Sequence, residues 1–262
     1  MFLCRAGILA LLLNLALTAH AEETPSLPAL VADDVKHVLT APVRWQDNEW
    51  KNLGYAAIGI AGIGMIADRP VMNWMRRQPR DNRFMLKVER FGAEYSVYTV
   101  AGFYLAGLAG NQTALEVAQD GIAASLIASG IVTPALKFAS GRARPRENLG
   151  TGTFHPFNLG YSTNSSFPSG HTTEAFALAS VIANHYTDTR VTCASYSIAS
   201  LVGIARMYHD AHFASDVTAG ALIGTLVGKS VVAHNLSLRS GKTVLTPEIS
   251  SSMTGVRLTR YF

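Results

Sequence analysis

The chain is poor in charge. Asp, Glu, Lys and Arg make up 15% of its 262 residues, hydrophobic residues make up 48%, and the formal net charge is +4. The basic residues are scattered and form no long run, so there is no electrostatic footprint for nucleic acid. Cysteine is scarcer still, with Cys4 and Cys193 the only two. Most uncharged apolar stretches stop short of the roughly 18 residues that mark a membrane span. There is no internal repeat, and the only low-complexity stretch is the short Ser250–Ser252 run.

The chain opens on MFLCRAGILALLLNLALTAHA. A positive start at Arg5, an apolar run and the small-x-small Ala19-His20-Ala21 read as an export leader cleaved after Ala21. Cleavage removes Cys4, and a lone Cys193 forms no intrachain disulfide. The uncharged surroundings of Cys193, VTCASYSIASLVGIA, read as those of a small core residue. Residues 22–50 carry Pro25, Pro28 and Pro42 and read as an irregular arm with one short helix. Six apolar segments follow: Leu53–Ala67, Tyr95–Gly110, Ala114–Ala139, Thr172–Tyr186, Val191–Tyr208 and Asp216–His234. Their lengths favour helix over strand, which predicts an all-α bundle of about six helices. The small-xxx-small spacing of GYAAIGIAGIG suits close helix packing in lipid, and equally a compact soluble bundle. Trp45, Trp50 and Trp74 flank the first segment. In the tail, Val256, Leu258 and Phe262 alternate with Arg257, Thr259 and Tyr261, the period of a terminal strand or hairpin. The expected units are a leader (1–21), an arm (22–50), a helical domain (51–236) and a tail (237–262).

Three clusters of chemistry-bearing residues sit at the edges of apolar segments. In KFASGRARP, Lys137 and Arg144 are spaced to share a helical face, with Pro145 ending the element. FPSGH places Pro168, Ser169, Gly170 and His171 at the mouth of a helix. In ARMYHDAHFASD, His212 and Asp216 lie one helical turn apart, and Arg206 closes the preceding segment. A phosphoryl group in flight spreads charge over three oxygens, and its transfer is mainly a matter of positioning and charge stabilisation. Lys137, Arg144 and Arg206 can supply positive charge, the arginines as forks. The amides at the helix start around Ser169 to His171 suit an anion. Singly, each cation reads as an ordinary interfacial charge. His209, Asp210, His212 and Asp216 also have the composition of a zinc or iron site. Glu174 reads as a solvent-facing acid in the first turn of its helix. His37, His155, His185 and His234 fall in no constellation.

K-x6-R-P over Lys137–Pro145, P-S-G-H over Pro168–His171 and R-x5-H-x3-D over Arg206–Asp216, in this order, resemble the type 2 phosphatidic-acid phosphatase and vanadium haloperoxidase superfamily. The resemblance implies that His212 attacks phosphorus to give a phosphohistidine, that Asp216 orients its ring, and that His171 protonates the leaving alcohol. It implies that Lys137, Arg144, Ser169, Gly170 and Arg206 hold the phosphate oxygens, with no metal and no cofactor. One departure is visible: Ala205 stands where the third motif usually has serine. The implied activity is hydrolysis of a phosphate monoester or diphosphate, on a membrane lipid or another phosphate ester. The implied place is the cell envelope, with the site facing the periplasm and the domain embedded in or associated with a membrane. A soluble acid phosphatase, a vanadate-dependent haloperoxidase and a phosphate-binding envelope protein stay open, and the sequence sets no oligomeric state.

Overall fold

A computed structural model describes residues 26–158 and 163–239 and the backbone of two strands beyond them. The leader and Cys4 lie outside the described residues. Eight principal helices carry the fold: α1 (Leu27–Leu39), α2 (Asp47–Ile66), α3 (Asp68–Arg76), α4 (Glu94–Leu108), α5 (Gln112–Ser140), α6 (Gly170–His185), α7 (Thr189–Tyr208) and α8 (Ala214–Arg239). Strands Thr243–Ile249 and Thr254–Arg260 pair antiparallel, with Leu245 opposite Leu258. The six expected apolar segments correspond to α2 and α4 to α8, and the all-α bundle is as their lengths imply.

Local signals set the ends of these helices. Gln46 and Glu49 form a capping box at the start of α2. Asn111 caps α5 by accepting from Ala114 N at 3.0 Å, and Asp188 caps α7 by accepting from Arg190 N at 2.8 Å. α5 is continuous through a π-helical stretch, Leu126–Val132. The arm is more regular than expected, because Leu27 and Leu30 of α1 are buried against the bundle.

α6 and α8 form the centre. Gly220, Gly224 and Gly228 line one face of α8, one turn apart, and bring its backbone onto α6. A Cβ at Gly220 would lie 2.7 Å from Ser169 O, and one at Gly228 would lie 2.7 Å from Ala177 O. Around this seam Val117, Ile127, Val181, Val227, Val231 and Val232 make the core. Of the glycines in GYAAIGIAGIG, Gly64 would bring an added Cβ to 3.6 Å from Asp68 and Ser215, whereas Gly54, Gly59 and Gly62 have open space within 4 Å. α2 buries none of its side chains and exposes Leu53, Tyr55, Ile58, Met65 and Ile66. Cys193 is likewise exposed on α7, not in the core. An apolar surface and an apolar core have the same composition, so that composition misassigned both. α5 and α8 are each long and apolar enough to cross a membrane by length and composition.

Candidate active site

Four helix termini meet at one end of the bundle: the ends of α5 and α7 and the starts of α6 and α8. Helix starts carry unpaired amides and partial positive charge, so α6 and α8 make this end attractive to anions. Lys137 lies in the last turn of α5. Arg144 does not share its helix, as the sequence had suggested. The helix stops at Ser140 because Gly141 takes the left-handed conformation, φ +55°, and a Cβ there would overlap the His155 carbonyl. The chain continues extended, with Arg142 bridged to Phe154. His212 also precedes its helix: α8 begins at Ala214, and Asp216 in its first turn reaches back to accept from Phe213 N at 2.8 Å.

Consecutive serines tie the first and third motifs together. Lys137 Nζ donates to Ser165 O, and Arg144 Nη2 donates to Ser165 Oγ at 2.9 Å. His212 Nδ1 lies 2.6 Å from Ser166 O, and Ser166 Oγ donates to Asp216 Oδ2 at 2.6 Å. A carbonyl oxygen only accepts, so Nδ1 carries the proton and the neutral ring keeps its lone pair on Nε2. Asp216 stands 3.9 Å from Nδ1 and reaches the ring only through Ser166. Its other oxygen accepts from Arg142 Nη1 at 2.6 Å. Arg142 also donates to Asp68 Oδ2 at 2.6 Å, and Asp68 accepts from Ser215 N at 2.8 Å. Arg142 lies with its guanidinium 4.3 Å from the Phe213 ring centre. The second motif joins through Ser169, whose N donates to Asp216 O at 3.0 Å. His171 follows in the first turn of α6. A Cβ added at Gly170 would meet Thr133 Cγ2 at 3.6 Å and Lys137 Cε at 3.9 Å, beside the lysine stem.

Burial, then Lys137, Arg206 and Arg144, hold the His212 imidazolium well below the usual histidine range. Arg144 is lowered to about 10 by burial and by Arg146 and Arg206. Both remain in the forms an anion-binding nucleophilic site needs, neutral imidazole and charged guanidinium. Arg206 Nη1 donates to Glu89 Oε2 at 2.6 Å, and His209 Nδ1 lies 2.7 Å from the same oxygen. Asp210 is taken up by Arg76 at 3.0 Å and Arg80 at 3.3 Å. His209 thus turns to Glu89, Asp210 to Arg76 and Arg80, and His212 and Asp216 to Ser166, so among the described residues the four do not converge on one point. Glu174 does not face solvent: it accepts from Ser125 Oγ at 2.8 Å and from Ser129 Oγ on α5.

Sequence reasoning missed Asp68, Glu89, Arg142, Ser165 and Ser166. The hydroxyl-rich Asn164-Ser165-Ser166 directly before Phe167-Pro168-Ser169-Gly170-His171, and the extra arginine inside K-x6-R-P, were the available signals. It also left four histidines unassigned, three of which have side-chain partners among the described residues. His185 Nε2 pairs with Asp120 Oδ2 at 2.8 Å, with Arg239 and Asn235 on the same carboxylate. His37 and His234 stack with ring centres 3.9 Å apart. Both groups lie near the C-terminal end of α8, where Asn235 Nδ2 also donates to Asp34 Oδ2 at 3.0 Å. At 1.5 Å rise per residue that is about 28 Å from Asp216.

Residues 121–237 match the model of the PAP2 superfamily. A lipid A 1-phosphatase of Porphyromonas gingivalis is 38% identical over 84 residues, covering 31% of this chain and 19% of that protein. A lipid A 1-phosphatase of Rhizobium johnstonii is 36% identical over 105 residues, covering 38% of this chain and 41% of that protein. The chain thus spans less than half the length of the curated relatives it matches. Among solved structures, a transmembrane PAP2-type phosphatidylglycerolphosphate phosphatase from Bacillus subtilis shares the fold, with TM-score 0.51 and 23% identity over 71% of this chain and 94% of that one. The stretch that matches the PAP2 superfamily model, residues 121–237, encloses all three motifs.

Proposed function

We propose that this protein is a phosphatase that removes phosphate from a membrane lipid through a covalent phosphohistidine, with no metal. The observation that carries the reading is His212: a buried ring whose proton is fixed on Nδ1 by Ser166 O, among three cations drawn from all along the motif region. The free Nε2 forms the N–P bond as the P–O bond to the lipid alcohol breaks, and His171 gives that oxygen its proton. Lys137, Arg144 and Arg206, with Ser169 and Gly170 at the start of α6, hold the three phosphoryl oxygens. Water then attacks phosphorus and gives a proton back to His171. The N–P bond breaks, and inorganic phosphate leaves.

Several observations favour a lipid substrate. The matched relatives are lipid A 1-phosphatases, α2 turns an unburied apolar face outward, and two helices have the length and composition of membrane spans. The leader reading adds export, with the site on the outer side of the membrane. The test is phosphate release from a phosphorylated glycolipid, phosphatidic acid and a polyprenyl diphosphate in detergent, with and without EDTA. Wild type is expected to release phosphate from at least one of them with EDTA present. His212→Ala should lose at least about a thousandfold in kcat. Full activity in His212→Ala, or none in wild type on any phosphate ester, overturns the reading.

A further inference from the structure

Beside the site lies a cavity of about 370 Å³ that none of the motif cations enters. Arg69, Met72, Asn73 and Arg76 of α3 form one wall, and Pro145 and Asn148 stand on the other. No carboxylate lines it. Arg69 is exposed and, among the described residues, has no ion pair or hydrogen bond. Arg76 is half-buried, tied to Asp210 at 3.0 Å and to Pro145 O at 2.6 Å. Arg69 supplies a guanidinium with no acid beside it, and Arg76, paired with Asp210 from outside the lining, and the side-chain amides of Asn73 and Asn148 add donors, which together make a site for an anion.

The cavity and the site adjoin along the chain. Pro145 lines the cavity, and the preceding Arg144 bonds Ser165 in the site, with Cα atoms 3.8 Å apart across the peptide. The volume is within the range that takes a small polar headgroup. We infer that the cavity is a headgroup subsite that holds a second anionic group, a phosphate or carboxylate, of the molecule whose phosphate lies against His212. The inference rests on the phosphatase reading and names its substrate class: lipids with two anionic groups on one headgroup. The same chemistry would take a free phosphate ion, so the test separates the two.

Binding is measured in the His212→Ala background, where no hydrolysis is needed, to vesicles holding a disaccharide glycolipid with two phosphate monoesters or its one-phosphate counterpart. Adding Arg69→Gln should weaken retention on the two-phosphate vesicles about tenfold and leave the ratio near one on the other. In the active protein, Arg69→Gln should lower kcat/KM for the two-phosphate lipid relative to the one-phosphate lipid by a similar factor, through KM. Equal effects on both lipids overturn the subsite even where wild type hydrolyses both. An Arg69 effect that appears only with added inorganic phosphate assigns the cavity to the free ion and overturns the headgroup assignment. If wild type hydrolyses neither lipid, the binding ratio still decides the subsite separately from the phosphatase reading.

Discussion

His212 carries its proton where a main-chain carbonyl requires it, so the orienting of its ring, which the resemblance gives to Asp216, is shared with Ser166. Ser166 O fixes the tautomer, while Asp216 holds Ser166 Oγ and Phe213 N and so fixes the loop that presents the ring. Ser166→Ala keeps the carbonyl and loses only the hydroxyl link. It is expected to lower kcat roughly tenfold, as one lost hydrogen bond to a charged group does. The acid limb of its pH–rate profile should stay where wild type has it. That limb reports the His212 ring, which must be neutral to attack. Since burial and three cations depress its pKa, kcat/KM should rise with pH through a value well below 6.5 and be fully developed by neutral pH. A rising limb centred at or above 6.5 would contradict the burial of the ring. The linked stability has the same sign: neutral His212 stabilises the fold above the unfolded pKa, and that contribution is lost as pH falls through the folded one.

At the scale of elements, the seam between α6 and α8 sets the distance from Ser169 and His171 to Asp216. At Gly224 a Cβ would overlap Thr173 O and come within 2.8 Å of Ala177 N, both backbone atoms that cannot swing aside. Gly224→Val should therefore destabilise by about 3 kcal/mol, the upper range for overpacking a core. Gly54→Val on α2, with nothing within 4 Å, should stay within about 0.5 kcal/mol. Thermal unfolding of both in one detergent checks the contrast, and equal losses would deny the seam its role. The lengths of the apolar segments showed six helices and their order, because segment length is read locally. Length could not tell which glycines meet a neighbour, since GYAAIGIAGIG and α8 are both apolar segments rich in small residues. The site was legible to the same limit. The motif residues stand out by type and spacing, but Arg142 meets Asp68 across 74 positions of sequence, and Glu89 meets Arg206 across 117. Such partners are chosen by tertiary contact, which leaves no local pattern.

Across the whole molecule, α2 and α4 to α8 pass between two ends. α1 docks at one of them through Asp34 and Asn235, and the site occupies the other. If residues 1–21 export the chain, α1 begins on the outer side of the membrane. A site that also faces outward then requires a bundle that lies against the bilayer through faces such as that of α2, without crossing it. In a background with both native cysteines replaced by serine, Lys36→Cys and Arg146→Cys are expected to react alike with an impermeant maleimide on intact spheroplasts. If Lys36→Cys reacts only after lysis, the bundle crosses and the leader reading fails. The same arrangement has a practical result. Because α1 and the end of α8 share the end remote from His212, a surface-immobilised protein held by either would present its catalytic mouth outward, about 28 Å clear of the support.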